Sequence, residues 1–156
     1  MRLVALRLCS RYRRCVAWTM LSVVIPSFNH GLYLRASLAS VLAQLRAADE
    51  IIVIDDASTD DSLAVASSFL HRHPNFRLLQ NSRNLGCVRT LNKGLALAQG
   101  SIIYFGAADD LTYPMLFARA AALLESYPQA GLFSGRSDLI SYSRKQCHGS
   151  QVPRAK

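Results

Sequence analysis

The chain predicts an α/β layered domain with a mostly parallel sheet and helices on both of its faces. Three observations lead there. From Leu21 onward, short β-branched runs alternate with amphipathic stretches of about 10–15 residues, the pattern of βαβ units with right-handed crossovers. The β-branched runs are apolar throughout rather than alternating, as strands are when helices cover both sheet faces. Two of the runs deliver paired carboxylates, Asp55-Asp56 and Asp109-Asp110, to the end where an open parallel sheet binds its ligands.

The first strand is expected over 22–26 (SVVIP), where Pro26 lacks a donor and ends the ladder. Residues 32–46 follow as a helix, with Leu34, Leu38, Val41, Leu42 and Leu45 at helical spacing. A second strand spans 50–55 (EIIVID). The helix over 60–73 carries Leu63, Val65, Ala66, Phe69 and Leu70 on one side, and Ser58 with Asp61 resembles a capping box. The third strand is 76–80 (FRLLQ). The helix at 86–98 ends before Gly100, read as a C-cap glycine. A fourth strand, 101–105 (SIIYF), precedes a helix over 115–127 bounded by Pro114 and Pro128, and a weaker strand signal lies at 131–134 (GLFS).

Both ends depart from this pattern. Residues 1–20 carry five Arg and no acid, and they lack an apolar core long enough for a secretory signal. They read as a basic extension, either a targeting segment or, by preference, sequence upstream of a start at Met20. Residues 141–156 show no period and read as an irregular tail. No apolar run reaches the roughly 18 residues that span a bilayer.

The formal charge of +8 belongs to these ends. Residues 21–143 hold nine Lys/Arg and ten Asp/Glu, a balance of −1. A basic stripe for nucleic acid is therefore not expected. Cys9, Cys15, Cys87 and Cys147 have no CxxC spacing, which argues against a zinc site or a disulfide framework and fits a reducing cytosol. His71 and His73 point two ways on a helix and read as a solvated helix end.

A parallel topology gathers four loops on one rim: Pro26-Ser27-Phe28-Asn29, Asp55-Asp56, Asn81 to Gly86 leading to Arg89, Asn92 and Lys93, and Gly106 to Asp110. Each loop has a plain explanation taken singly. An Asp pair after a strand can cap a helix, Asp109-Asp110 can be turn chemistry, and Asn84-Leu85-Gly86 can be a helix entry. Together they suit a nucleotide diphosphate. Phe28 offers a flat face to a base, and carboxylates accept hydrogen bonds from base and ribose. A divalent cation with oxygen ligands, manganese or magnesium, reconciles carboxylate with pyrophosphate.

The segments LSVVIPSFNHGLYLRASLASVLAQ, EIIVIDDASTDDS and NSRNLGCVRTLNKGLALAQGSIIYFGAADDLTYP resemble, in content and order, the family-two glycosyltransferases of the GT-A fold, from about Leu21 to Asp138. That resemblance implies a Rossmann-like GT-A half over 21–140 and transfer of a sugar from a nucleotide-diphosphate donor to an acceptor hydroxyl. It implies nucleotide-sugar contacts from Pro26, Ser27, Phe28, Asn29, Asp55, Asp56, Asn84, Gly86, Asn92 and Asp109, with Asp56 on the base. It also implies a divalent metal at Asp109 and Asp110, without deciding which is the direct ligand.

Three departures qualify it. Ala107 stands where many members have the first acid of Asp-x-Asp-Asp, and Leu91 stands where many have Arg. No candidate is present for the general base that members carry in a following half. The expectation is therefore a truncated donor-binding half that transfers no sugar alone, with a degenerate, non-catalytic binding module of the same fold as the alternative. A receiver domain would want its acid pair after the first strand, and a nucleotidyltransferase a Gly-rich basic loop there. The expected partners are a nucleotide-diphosphate sugar and an unidentified glycan, lipid or protein acceptor, with no nucleic acid. The expected location is the cytoplasm, free or at the inner face of a membrane.

Overall fold

The structure is a computed structural model, and it describes residues 4–7, 20–140 and 146–147. Six strands form one sheet: β1 (Val4–Arg7), β2 (Leu21–Ser27), β3 (Glu50–Asp55), β4 (Phe76–Gln80), β5 (Ile102–Phe105) and β6 (Leu132–Ser134). Their order is β4-β3-β2-β5-β1-β6. The first four in that order are mutually parallel, as expected. β1 runs antiparallel to both β5 and β6. A separate pairing joins β7 (Leu139–Ile140) to β8 (Gln146–Cys147), with β8 inside the stretch expected to be irregular.

Helices α1 (Gly31–Leu42), α2 (Ser62–Leu70), α3 (Cys87–Leu97) and α4 (Leu116–Ser126) lie within a few residues of their expected bounds. Strand pleating decides what each meets, because successive side chains point to opposite faces. Val23 and Ile25 of β2, Ile51 and Val53 of β3, and Ile102 and Tyr104 of β5 enter one core. The same core takes Leu34 and Leu38 of α1, Val65 of α2, and Phe117 and Leu124 of α4. The Tyr104 and Phe117 rings meet edge-on with centroids 5.0 Å apart. Each fully buried Ile, Leu or Val there contributes about 1.5–3 kcal/mol.

The opposite face belongs to α3. Its Gly94 lies so close to Val24 that a Cβ would collide with that side chain, and Ile54 sits beside it. Every residue of β3 is buried, as a two-sided parallel strand requires.

At the N-terminal ends of the strands a buried carboxylate ties three segments together. Glu50 accepts from Ser22 Oγ (2.7 Å), Arg77 Nη1 (2.8 Å) and the Gln99 amide (3.0 Å). The Gly100 amide donates to Ser22 Oγ at 2.9 Å. Gly100 is thus not a helix C-cap. Ala98 occupies the cap of α3 in extended conformation, and Gly100 is small because a Cβ would lie 2.6 Å from the Met20 carbonyl oxygen. The expected Ser58–Asp61 capping box is also absent. The N-cap residue Asp61 makes no side-chain cap bond, Ser58 Oγ instead accepts from the Asn29 amide at 3.0 Å, and the first amide of α2, that of Ser62, donates to Asp60 Oδ1 at 3.0 Å.

Candidate functional site

Chain order places a switch point at the C-terminal end of the sheet. From β2 the chain steps outward through β3 to β4, then returns to β5 on the other side of β2. The loops after β2 and β5 therefore diverge and leave a crevice, where ligands bind in open α/β sheets. Strand-like hydrogen bonds hold the loop roots beyond the strand ends. The Asp56 amide donates to Ser27 O (2.8 Å), Asn81 N to Asp55 O (2.8 Å), and Gly106 N to Val24 O (3.0 Å).

Asp55 and Asp56 are neighbours in sequence, and both are buried, at 1% and 3% exposure. The strand's alternation separates their side chains. Asp55 pairs in register with Ser27 and accepts the Ser58 amide on Oδ2 at 3.1 Å. Its Oδ1, Ser27 Oγ and His30 Nδ1 are buried without a hydrogen-bond partner in the protein. Asp56 faces the loop ahead of α3. Its Oδ1 accepts from Asn81 Nδ2 (2.7 Å) and Leu85 N (2.9 Å), and its Oδ2 from Gly86 N (2.9 Å). Burial alone would push this carboxyl up, but those donors together hold it below its ordinary range.

Asp56 is therefore the anchor of the 81–86 loop. Asn81 extends the anchor inward, with Nδ2 to Thr90 Oγ1 (3.1 Å) and Oδ1 accepting from Lys93 Nζ (2.6 Å). Gly86 adopts φ +84°, open to glycine at little cost, and its amide also reaches Asn84 Oδ1 at 2.9 Å. Asn84 and Arg83 are exposed on this loop. Asn92 is exposed on α3, whose buried residues are Thr90 and Gly94.

Asn29 has φ 54°, a left-handed turn that Asn tolerates, and it locks two loops together. Its Oδ1 accepts from Thr59 N at 2.8 Å, while its amide donates to Ser58 Oγ. The α1 N-terminus is capped from the same distant loop, by Ser62 Oγ on the His30 amide (2.9 Å) and Asp60 Oδ2 on the Gly31 amide (2.9 Å). Phe28 is 40% exposed beside this turn, and Pro26 is half-buried within β2.

Across the crevice, Ser37 Oγ donates to the Ala107 carbonyl at 2.8 Å, fixing the turn that presents the second acid pair. Asp109 is exposed and Asp110 half-buried. Burial and the adjacent Asp109 charge push the Asp110 carboxyl above its ordinary range. Among the described residues no three His, Cys, Asp or Glu side chains gather as a ready-made metal cage. A cation here would sit on two carboxylates and complete its shell with ligand or water oxygens, which suits magnesium or manganese. The donor set itself, two adjacent carboxylates with Asp109 exposed and Asp110 half-buried, is what fits such a cation.

The sequence pointed to every loop of this rim. It missed Asn81, Thr90 and Lys93 as one buried network, and Asp60 and Ser62 as caps for α1. Neither has a local signal, since the partners are separated by 9 to 32 residues.

The chain belongs to glycosyl transferase family 2, whose model matches residues 22–151. It is 38% identical over 97 residues to the glycosyltransferase YibD of Escherichia coli, covering 62% of this chain and 28% of that protein. The crystal structure of Staphylococcus aureus TarS (residues 1–349) with UDP-GlcNAc matches with a TM-score of 0.65 and 26% identity, over 70% of this chain and 32% of that one. The mannosyltransferase PcManGT of Pyrobaculum calidifontis, in complex with GDP-Man and Mn2+, matches with a TM-score of 0.64 and 25% identity, over 70% and 33%. The α/β sheet is thus of the GT-A type the motifs implied. The chain spans about a third of the length of these proteins.

Proposed function

We propose that the rim binds a nucleotide-diphosphate sugar together with a divalent cation, and that this chain is the donor-binding part of a sugar-transferring enzyme. The switch point carries the reading: the Ser27–Asn29 turn and the Asp109-Asp110 turn flank one crevice, with the loop anchored by Asp56 alongside. The nucleotides and the manganese in the matched structures support it.

In this reading the base stacks on Phe28 and donates to a carboxylate after β3. Asp55 Oδ1 has no donor in the protein, and Asp56 Oδ2 keeps a lone pair beyond the one it gives to Gly86. Asp56 also acts indirectly, by fixing the loop that carries Asn84. Asp109 and Asp110 would hold the cation, which would supply positive charge to offset that of a departing diphosphate. The sugar passes to an acceptor hydroxyl of a glycan, lipid or protein. The lack of any cysteine pairing motif supports placing the protein in the cytoplasm, free or against the inner face of a membrane.

Titration calorimetry with UDP, GDP, CDP and dTDP tests the reading. One nucleotide binding only with manganese or magnesium is the expected result. A protein that melts cooperatively and binds none of the four would instead be the degenerate module, a reading to which Ala107 at an acidic position lends weight.

A further inference from the structure

The turn that presents Asp109 and Asp110 has little structure of its own to hold it. Residues 106–115 form neither helix nor strand. Within the turn, the bond from the Asp110 amide to the Ala107 carbonyl is long, at 3.4 Å. The support comes from α1. Ser37 and Ser40 lie three apart, as neighbours on one side of that helix, and Gln44 follows two residues past its end. Ser37 and Gln44 are buried, and a buried polar group is stable only with partners.

Those partners lie mostly in residues 107–117. Ser37 Oγ holds the Ala107 carbonyl ahead of the acid pair. Behind the pair, the Thr112 amide donates to Ser40 Oγ at 2.9 Å. Gln44 Nε2 donates to the Thr112 and Tyr113 carbonyls at 3.3 and 2.8 Å, and Gln44 Oε1 accepts from the Phe117 amide at 3.3 Å. The turn is thus pinned on both sides of Asp109 and Asp110. The other end of α1 is tied to the loop after β3 through Asp60 and Ser62, so one helix braces both banks of the crevice.

We infer that Ser40 and Gln44 are positioning residues for the cation, setting its affinity through the backbone of the turn rather than as ligands. This rests on the donor-site reading, in which Asp109 and Asp110 take the metal. A site of two carboxylates is weak unless the backbone that aims them is fixed beforehand, because ordering it on binding costs free energy.

Calorimetric titration of manganese into the full chain tests this, with UDP and with GDP present and corrected for manganese held by free nucleotide. Gln44→Ala and Ser40→Ala should each raise the manganese concentration for half-saturation by about tenfold or more, the usual cost of losing a group that orients a metal ligand. Arg77→Met removes a donor to Glu50 at the opposite end of the strands and should leave that concentration unchanged. Wild-type half-saturation in Gln44→Ala and Ser40→Ala would overturn the inference and leave the donor site standing. A rise in Arg77→Met as large as theirs would also overturn it, by tracing the effect to a general loss of stability. A wild-type protein that takes up no manganese with either nucleotide would overturn the donor-site reading, and this inference with it. If Gln44→Ala does not fold, the half-buried Ser40→Ala decides alone.

Discussion

Asp55 and Asp56 show how much one residue of register decides. As a sequence they are a pair; on a strand they face opposite sides, and each meets a different half of the molecule. Asp56 accepts three hydrogen bonds, and two of them, from Leu85 and Gly86, shape the loop beside the crevice. Asp56→Ala leaves the Leu85 amide without its acceptor and should cost about 2 kcal/mol in chemical unfolding, since bonds to a charged acceptor are worth about 1.5–3 kcal/mol each. The pH dependence follows from the same contacts. Asp56 and Glu50 both have their folded pKa held below the unfolded one, against the upward push of burial. The unfolded chain therefore binds more protons as pH drops, so the stability these groups give is complete above the ordinary carboxylate range, near pH 4, and is lost as pH falls through their lowered values. Acid unfolding monitored by circular dichroism should show this limb, and Asp56→Asn should flatten it.

At the scale of elements, the strands and helices after Leu21 were legible because apolar period and Pro/Gly punctuation are local signals. The caps were not. The α1 N-terminus takes its acceptors from Asp60 and Ser62, about thirty residues away, and Ser58, which reads as a cap for α2, is spent on Asn29. Asp60 accepts from the first amide of each helix, Gly31 of α1 and Ser62 of α2, so Asp60→Ala should destabilise α1 as well as α2, by about 1 kcal/mol at each N-terminus, the usual worth of an N-cap acceptor. Faster hydrogen exchange in the first turn of each helix would register it. Gly94 is a second case. A glycine inside a helix costs about 1 kcal/mol against alanine in propensity, yet here Val24 leaves no room for a Cβ. Gly94→Ala should lower stability despite its better helix propensity, by about 1–3 kcal/mol of overpacking, and a melting curve above that of the wild type would refute the close approach. The residues of β1 escaped the sequence reading for a related reason: four residues carry no period, and their partners lie nearly a hundred positions downstream.

For the whole molecule, the sheet order creates the site. Acidic motifs fifty residues apart in sequence reach one crevice because β5 returns beside β2, and that placement was readable once the strands were taken as parallel. The rim's composition was readable too, while its internal wiring through Asn81, Thr90 and Lys93 depended on contacts that only the folded chain makes. The charge distribution agrees with a small anionic ligand held through a cation rather than with a long polyanion, since the basic excess lies at the chain ends. The measurement that bears most directly on this account is the thermal shift of the wild-type protein and of Asp109→Asn/Asp110→Asn, with UDP and GDP, each with and without manganese. At a hundred times its dissociation constant a ligand adds about 2.7 kcal/mol. The account predicts a rise in melting temperature that needs both nucleotide and manganese and disappears in the double variant. A nucleotide shift that survives without manganese and persists in Asp109→Asn/Asp110→Asn would contradict it.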